Sequence, residues 1–362
     1  MKFRLMVLCA VGLAFVAVWA CDTDQEDPFG DYEDIEIDWG GDDPNRYHWN
    51  GLTNPFFEGW FFRVALPDGR SFGFIYSVQN PGAMSGDPSG AHVVIARNCG
   101  DVVHGEFGLD AFSADRERFT MRTAGNRSTE GHFDGELCEN GHEVSWDIDY
   151  EIIEPWPSTM GTMTNFPGLP VNWYVGALRA RGTGVINWDG ERIALKNAAV
   201  FQDHNWGNFF PQGYIWMQSQ EFPDSRDALA VAGGNIGVEA GMFVWRHGGE
   251  LVEIRSQDMN ALFKFSGDYE AGEVVVDIRR GDRRYVVTGF FGDDIPAILP
   301  APRPEGNVPY TRMAMSGRIR VQVLVRNIFK WELVEEVWSV TAGVEMGGMY
   351  GPPIGEPGNA RR

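Results

Sequence analysis

The sequence predicts a mostly β protein built from antiparallel sheets, and three observations carry that prediction. Short apolar runs alternate with turn signals throughout residues 46–350. No long segment keeps apolar residues at 3.6 spacing between helix caps. The 45 glycines and 20 prolines fall among those runs without a collagen-like period. Hairpins without crossover helices leave two arrangements open, sheets closing into barrels or sheets stacking as sandwiches.

At the start of the chain, Lys2 and Arg4 precede an unbroken apolar stretch over residues 5–20. That stretch is shorter than the roughly 20 residues a membrane span needs, and it fits a secretory signal peptide over residues 1–20. Val18-Trp19-Ala20-Cys21 resembles a bacterial lipobox, which would lipidate Cys21. Trp19 stands where that pattern prefers a small residue, so plain cleavage after Ala20 is the competing reading. The expectation is an exported cell-envelope protein, held to a membrane through its N-terminus. Residues 21–45 read as an acidic tether, because residues 22–43 hold eleven Asp or Glu and no Lys or Arg.

The body then divides into two halves, residues 46–183 and 184–350, followed by a loose tail at 351–362. Pro67-Asp68-Gly69 turns between runs at 57–66 and 71–78. Asp189-Gly190, Gly248-Gly249 and Gly281-Asp282 do the same for three later pairs of runs. Arg280-Gly281-Asp282 is thus a hairpin tip and not an adhesion motif. The proline-rich segment 154–170 reads as a connection crossing between sheets.

Composition removes several classes of function. At 43% hydrophobic and 13% aromatic, the chain has material for a large core. A net charge of −21 argues against nucleic acid and anionic membrane surfaces, which bind clustered Lys and Arg. There is no Gly-x-Ser-x-Gly, Walker loop, dinucleotide fingerprint or His-Glu-x-x-His. The cysteines are too few and too scattered for a zinc cluster, and no metal is expected. Cys99 and Cys138 either form a disulfide, which an exported protein permits, or remain separate thiols. A glycosidase stays open, since aromatic-rich β proteins with paired carboxylates also bind sugars.

Three segments concentrate chemistry. In Phe56-Phe57-Glu58-Gly59-Trp60-Phe61-Phe62-Arg63, a strand puts Glu58 on one face with Trp60 and Phe62, and Arg63 on the other with Gly59 and Phe61. A buried carboxylate there requires a partner, so Glu58 and Arg63 are either a structural ion pair or the polar wall of a pocket. In Phe201-Gln202-Asp203-His204-Asn205-Trp206, Asp203 and Asn205 share one face, His204 and Trp206 the other. Asp203 is either a ladder-end cap or an acid whose pKa is raised by an aromatic cavity. Glu345 lies in the glycine-rich strand 341–350, where missing side chains let another group approach closely.

With these residues in view, the chain resembles the tocopherol cyclase family. The resemblance rests on Tyr47-His48-Trp49 with Phe56 to Arg63, on Tyr76-Ser77-Val78 with Asn80-Pro81, and on Trp156-Pro157-Ser158-Thr159-Met160-Gly161. It continues through Asn205-Trp206-Gly207 with Phe210-Pro211, Trp216-Met217-Gln218, Ala232-Gly233-Gly234 and Val344-Glu345-Met346-Gly347-Gly348. These blocks follow the family's order across most of residues 46–350. The resemblance implies two lipocalin-like antiparallel β-barrel halves packed together. It also implies an intramolecular cyclase that needs no cofactor. A prenyl double bond of a prenylated hydroquinone is protonated, and the phenolic oxygen attacks the tertiary cation.

On this reading Asp203 is the acid, Asn205 orients the phenol or the acid, and Glu58 serves as base or as partner of Arg63. Trp60, Trp206 and Trp216 offer π faces to the cation, and Arg63, His204 and Glu345 contribute to binding. The family pattern has Glu-Lys where this chain has Asp203-His204, so the carboxylic acid is kept and the lysine is not. The alternative is a lipocalin-like lipid- or isoprenoid-binding envelope lipoprotein without catalysis. A third reading is a structural envelope protein with a plugged pocket.

Overall fold

The computed structural model describes residues 43–84, 86–166 and 168–351. The leader, the lipidation of Cys21, nearly all of the acidic tether and the tail at 352–362 lie outside the described residues.

Twenty-two strands follow one another, with only two 3-10 turns among the described residues, at Leu109–Ala111 and Gly161–Met163. The first eleven are β1 Phe57–Ala65, β2 Ser71–Gln79, β3 Gly90–Arg97, β4 Val102–Phe107, β5 Phe112–Ala114, β6 Thr120–Thr123, β7 Asn126–Thr129, β8 His132–Glu139, β9 His142–Trp156, β10 Val171–Trp188 and β11 Glu191–Gly207. The rest are β12 Gly213–Glu221, β13 Ala228–Asn235, β14 Glu239–His247, β15 Glu250–Arg255, β16 Ala261–Asp268, β17 Glu273–Arg280, β18 Arg283–Phe290, β19 Ala297–Arg303, β20 Gly306–Arg326, β21 Trp331–Trp338 and β22 Thr341–Gly348.

All pairings are antiparallel, and local turn chemistry explains most of them. Gly69, at φ +92°, closes the β1–β2 turn, with Leu66 N–H donating to Arg70 O at 2.8 Å. Asp189 and Gly190 both have positive φ, as the two-residue turn joining β10 to β11 requires.

The strands form two sheets. The first runs β4-β3-β2-β1-β11-β10-β9-β8-β7-β6-β5, and the second β15-β14-β13-β12-β22-β20-β18-β17-β16, with β19 and β21 added on β20. Each curls until distant strands approach, β4 next to β8 and β14 next to β16, giving two nearly closed barrels. Each encloses its own core. Phe62, Phe74, Phe133 and Trp146 fill the first, and Phe243, Val276, Val287 and Val321 fill the second. A third apolar layer, with Val175, Phe201, Trp216, Met313 and Met315, packs between them.

Several expectations shift. The sheets part between Gly207 and Gly213, not at 183/184, because β10 and β11 are one long hairpin whose two strands both belong to the first sheet. Segment 154–170 links β9 to β10 within that sheet, while its Ser158 reaches across to Glu253 of the second at 2.8 Å. The folded body includes Asp43 and Asn45, since Asp43 accepts from Phe119 N–H and Asn45 Nδ2 donates to Gln202 at 2.9 Å. No Cys99–Cys138 bridge forms. Cys99 is a free, exposed thiol in the β3–β4 turn, where its N–H donates to Asp294 of the other half at 2.7 Å. Cys138, in β8, does not pair with it.

Candidate active site

Between the two barrels lies a cavity of about 410 Å³. Its walls are largely apolar and aromatic, including Phe61, Trp173, Phe210 and Trp216. That size and character suit a bulky apolar ligand held by a few polar groups.

β11 supplies the central acid. Val175 of β10 and Phe61 of β1 pair in register with Asp203. The period-2 alternation then sends Phe201, Asp203 and Asn205 toward the inter-barrel layer and His204 and Trp206 into the first barrel. Asp203 is 2% exposed. Its Oδ2 accepts from Trp173 Nε1 at 2.8 Å and from Trp216 Nε1 at 2.9 Å. Its Oδ1 has no hydrogen-bond partner. Burial pushes the carboxyl up to about 7 against the pull of the two indole N–H groups, and Glu345 adds to the rise. Asp203 is therefore substantially protonated near neutral pH, with one oxygen anchored and the other free to carry the proton.

β22 supplies a second carboxyl. Glu345 is the register partner of Trp216, and it accepts from Tyr214 Oη and, at 2.8 Å, from Thr311 Oγ1. Burial raises its pKa too, opposed by those two donors. Its glycine neighbours explain the local sequence. A Cβ on Gly343 would come within 2.7 Å of the Trp216 ring and 3.0 Å of the Arg63 side chain, and one on Gly347 would strike the Tyr214 ring. The close approach read from the glycines is thus made by the aromatic walls and by Arg63.

Other residues expected at the site sit elsewhere. Glu58 faces the first barrel, where His48 Nδ1 and His204 Nε2 approach its Oε1 at 2.9 and 2.8 Å, and His48 N–H donates at 2.9 Å. Burial pushes Glu58 well up, His48 down to about 3 and His204 well below its usual range. The result is an uncharged hydrogen-bonded cluster, roofed by Trp206 stacked on His48 at 3.9 Å and Trp60 on His204 at 4.6 Å. The Trp206 ring is committed there and not to the cavity, whereas Trp60 stacks on His204 and also contributes to the cavity lining.

Glu58 does not pair with Arg63, because the alternation of β1 points them to opposite faces. Arg63 lies between the barrels, donating to Met315 O at 2.9 Å and contacting Glu221 and Gln218 at 3.3 Å. It holds the halves together and does not line the cavity.

Among the described residues, two groups bring donor atoms close enough to hold a cation, His48/Glu58/His204 and His92/His104/Glu106. In the first, the donors are occupied by one another. In the second, His92 lines the cavity, is pushed down to about 4 by burial and hydrogen-bonds His104 at 3.2 Å.

Trp173, Tyr214, Thr311 and His92 belong to the cavity and were not picked out from sequence. Tyr214 carried a signal, since it alternates with Trp216 in β12. Trp173 carried none, because its role depends on a long-range pairing.

Fold and cavity together define a lipocalin-like double-barrel protein with a buried carboxylic acid in an apolar inter-barrel chamber. The family model described as "Tocopherol cyclase-like" matches residues 54–133 and 113–348, and the chain belongs to that family. A chloroplastic tocopherol cyclase of Zea mays is 27% identical over an alignment of 243 residues, and the match covers 52% of this chain and 51% of the maize protein. The chain thus spans about half the length of that curated relative. Among solved structures, an AttH-type protein of Nitrosomonas europaea aligns at TM-score 0.51 and 13% identity, covering 89% of this chain and 99% of that one. This likeness concerns the fold alone.

Proposed function

We propose that the chain is an enzyme that protonates a carbon–carbon double bond of a prenylated phenol and lets the phenolic oxygen close a chromanol-type ring. The observation that carries this reading is Asp203, a buried acid with its pKa pushed up to about 7 and one unpartnered oxygen, set in an apolar cavity. Alkene protonation needs a group that still holds its proton at working pH in a site that excludes water, and general acid catalysis of this kind contributes typically 10²–10⁴-fold.

The steps balance. The Asp203 proton moves to the less substituted alkene carbon, which leaves a tertiary cation. The phenolic oxygen forms the new C–O bond as its O–H breaks, and Glu345 is the carboxylate within the cavity that takes this proton. Return of a proton to Asp203 resets the site, and no electron is gained or lost. Phe61 and Trp216, edge to face at 5.4 Å, offer π surfaces to the cation, each worth about 0.5–2 kcal/mol. The Glu345–Tyr214–Thr311 group replaces Glu58 in this role, because Glu58 faces the wrong side of β1.

The test is incubation with a phytylated hydroquinone and related prenyl quinols in heavy water. The expected product has the cyclised skeleton, shifted retention and one deuterium on carbon. Asp203→Asn is expected to cut turnover by about 10²–10⁴-fold. The same cavity suits a lipid or isoprenoid carrier, and substrate recovered bound but unchanged across the panel would favour that reading over catalysis.

A further inference from the structure

We propose that the tip of the β20–β21 hairpin is a docking element for an anionic lipid surface. Ile328 and Phe329 form this tip and are 85% and 94% exposed. Nothing in the fold requires two large apolar side chains in water there. Behind them, β21 is exposed along most of its length, with Leu333 at 53% and Val334 at 59%. β21 pairs with β20 alone, so it is an edge strand and the tip is open to solvent.

Charge sets the occupant. Arg326 and Lys330 flank the apolar pair. Arg326 N–H donates to Asp282 O at 2.8 Å, which brings the β17–β18 turn alongside, and Arg283 is the register partner of Val325. Arg283 is exposed on that turn; Arg280 is exposed as well, but it pairs with Asp258 at 3.8 Å and donates to Glu253 O at 2.9 Å. The acids nearest these cations are Asp282, Glu332 and Asp258; Glu332 pairs with Lys330 at 3.2 Å and Asp258 with Arg280, which leaves Arg326 and Arg283 facing Asp282. A chain of net charge −21 thus has a locally basic point with an apolar apex. Distant acids count for little there, because exposed charges are screened beyond about 8 Å at physiological salt.

Two side chains on a convex tip cannot supply the roughly 800 Å² per partner of a stable protein interface. They can sink below lipid headgroups while the surrounding Arg and Lys meet the phosphates.

The test is sedimentation of the full chain with phosphatidylcholine vesicles, with and without phosphatidylglycerol. Any contribution of residues 1–42 is common to all proteins compared. Wild type is expected to bind more as phosphatidylglycerol increases. Combined Ile328→Ser and Phe329→Ser, or combined Arg326→Glu and Lys330→Glu, should each lower partitioning by at least about tenfold. Both should melt like wild type, since the side chains replaced are exposed. Equal binding by wild type and the tip variants, or indifference to phosphatidylglycerol, overturns the proposal. A wild-type dimer in sedimentation velocity that the Ser variant dissociates would assign the tip to a second copy and also overturn it.

Discussion

Trp173 and Trp216 both donate to Oδ2 of Asp203, and this asymmetry sets what the carboxyl can do. The indole N–H groups favour the anion, burial favours the acid, and burial wins by bringing the carboxyl to about 7. Activity that needs the acid form should be full below about pH 7 and fall tenfold per unit above it. Trp216→Phe removes one donor that lowers the pKa. The alkaline limb of kcat/KM against pH should then move upward, on the order of one unit; a downward shift would mean that the indole is not holding the anion. Stability falls with rising pH as activity does, but over a lower range. A carboxyl whose pKa is higher folded than unfolded loses its contribution as pH rises from the ordinary Asp range through about 7. Asp203→Asn keeps an oxygen for the two indoles and cannot ionise. It should therefore be more stable than wild type at pH 9 while nearly inactive, as thermal melts at pH 5 and pH 9 would show.

β1 and the second half of β11, from Ala198 on, are buried on both faces, one against the core of the first barrel and one against the second barrel. This explains which parts of the site were legible in the sequence. Alternation correctly separates Asp203 and Asn205 from His204 and Trp206, because period 2 is a local property of the strand. It does not say which face meets the cavity, since Trp60 and Phe62 on one side are as apolar as Phe61 on the other. Glu58 was thus read toward the substrate when it packs inward. The hairpin turns were legible because Gly and Asp at positive φ act locally. The division between sheets was not, because β10 and β11 together resemble any other hairpin. The misplacement of Glu58 has a direct test. Glu58→Ala deprives His48 and His204 of their common acceptor in a sealed core and should cost about 3 kcal/mol in urea unfolding. The kcat of the folded fraction should stay within about tenfold of wild type, well short of a lost general acid. A loss of kcat as deep as that of Asp203→Asn, with stability intact, would return Glu58 to the chemistry.

At the scale of the molecule, the cavity exists only while two independently cored barrels remain docked, so groups that never touch a ligand govern it. Arg63 is the clearest of these. It is 2% exposed and extends from β1 of the first barrel to Met315 O, Gln218, Glu221 and Thr341 of the second, with Ser71 as a partner in its own sheet. Arg181 to Gln220 at 2.8 Å and Gln220 to Val200 O at 2.7 Å extend the polar seam beside the apolar layer. Removing a buried guanidinium leaves its acceptors without a donor, and Arg63→Ala should lower unfolding stability by about 3 kcal/mol. Arg63→Lys should recover less than half of that loss, since one ammonium cannot serve a carbonyl, an amide and a carboxylate in a planar fork. Because each barrel retains its own core, the loss should appear first at the seam. Quenching of buried tryptophans such as Trp216 and weakened binding of an apolar probe should precede loss of the β signal in circular dichroism. Simultaneous loss of all three would mean that the barrels do not fold as separable units, and an unchanged urea midpoint would mean that the apolar layer alone holds the chamber closed.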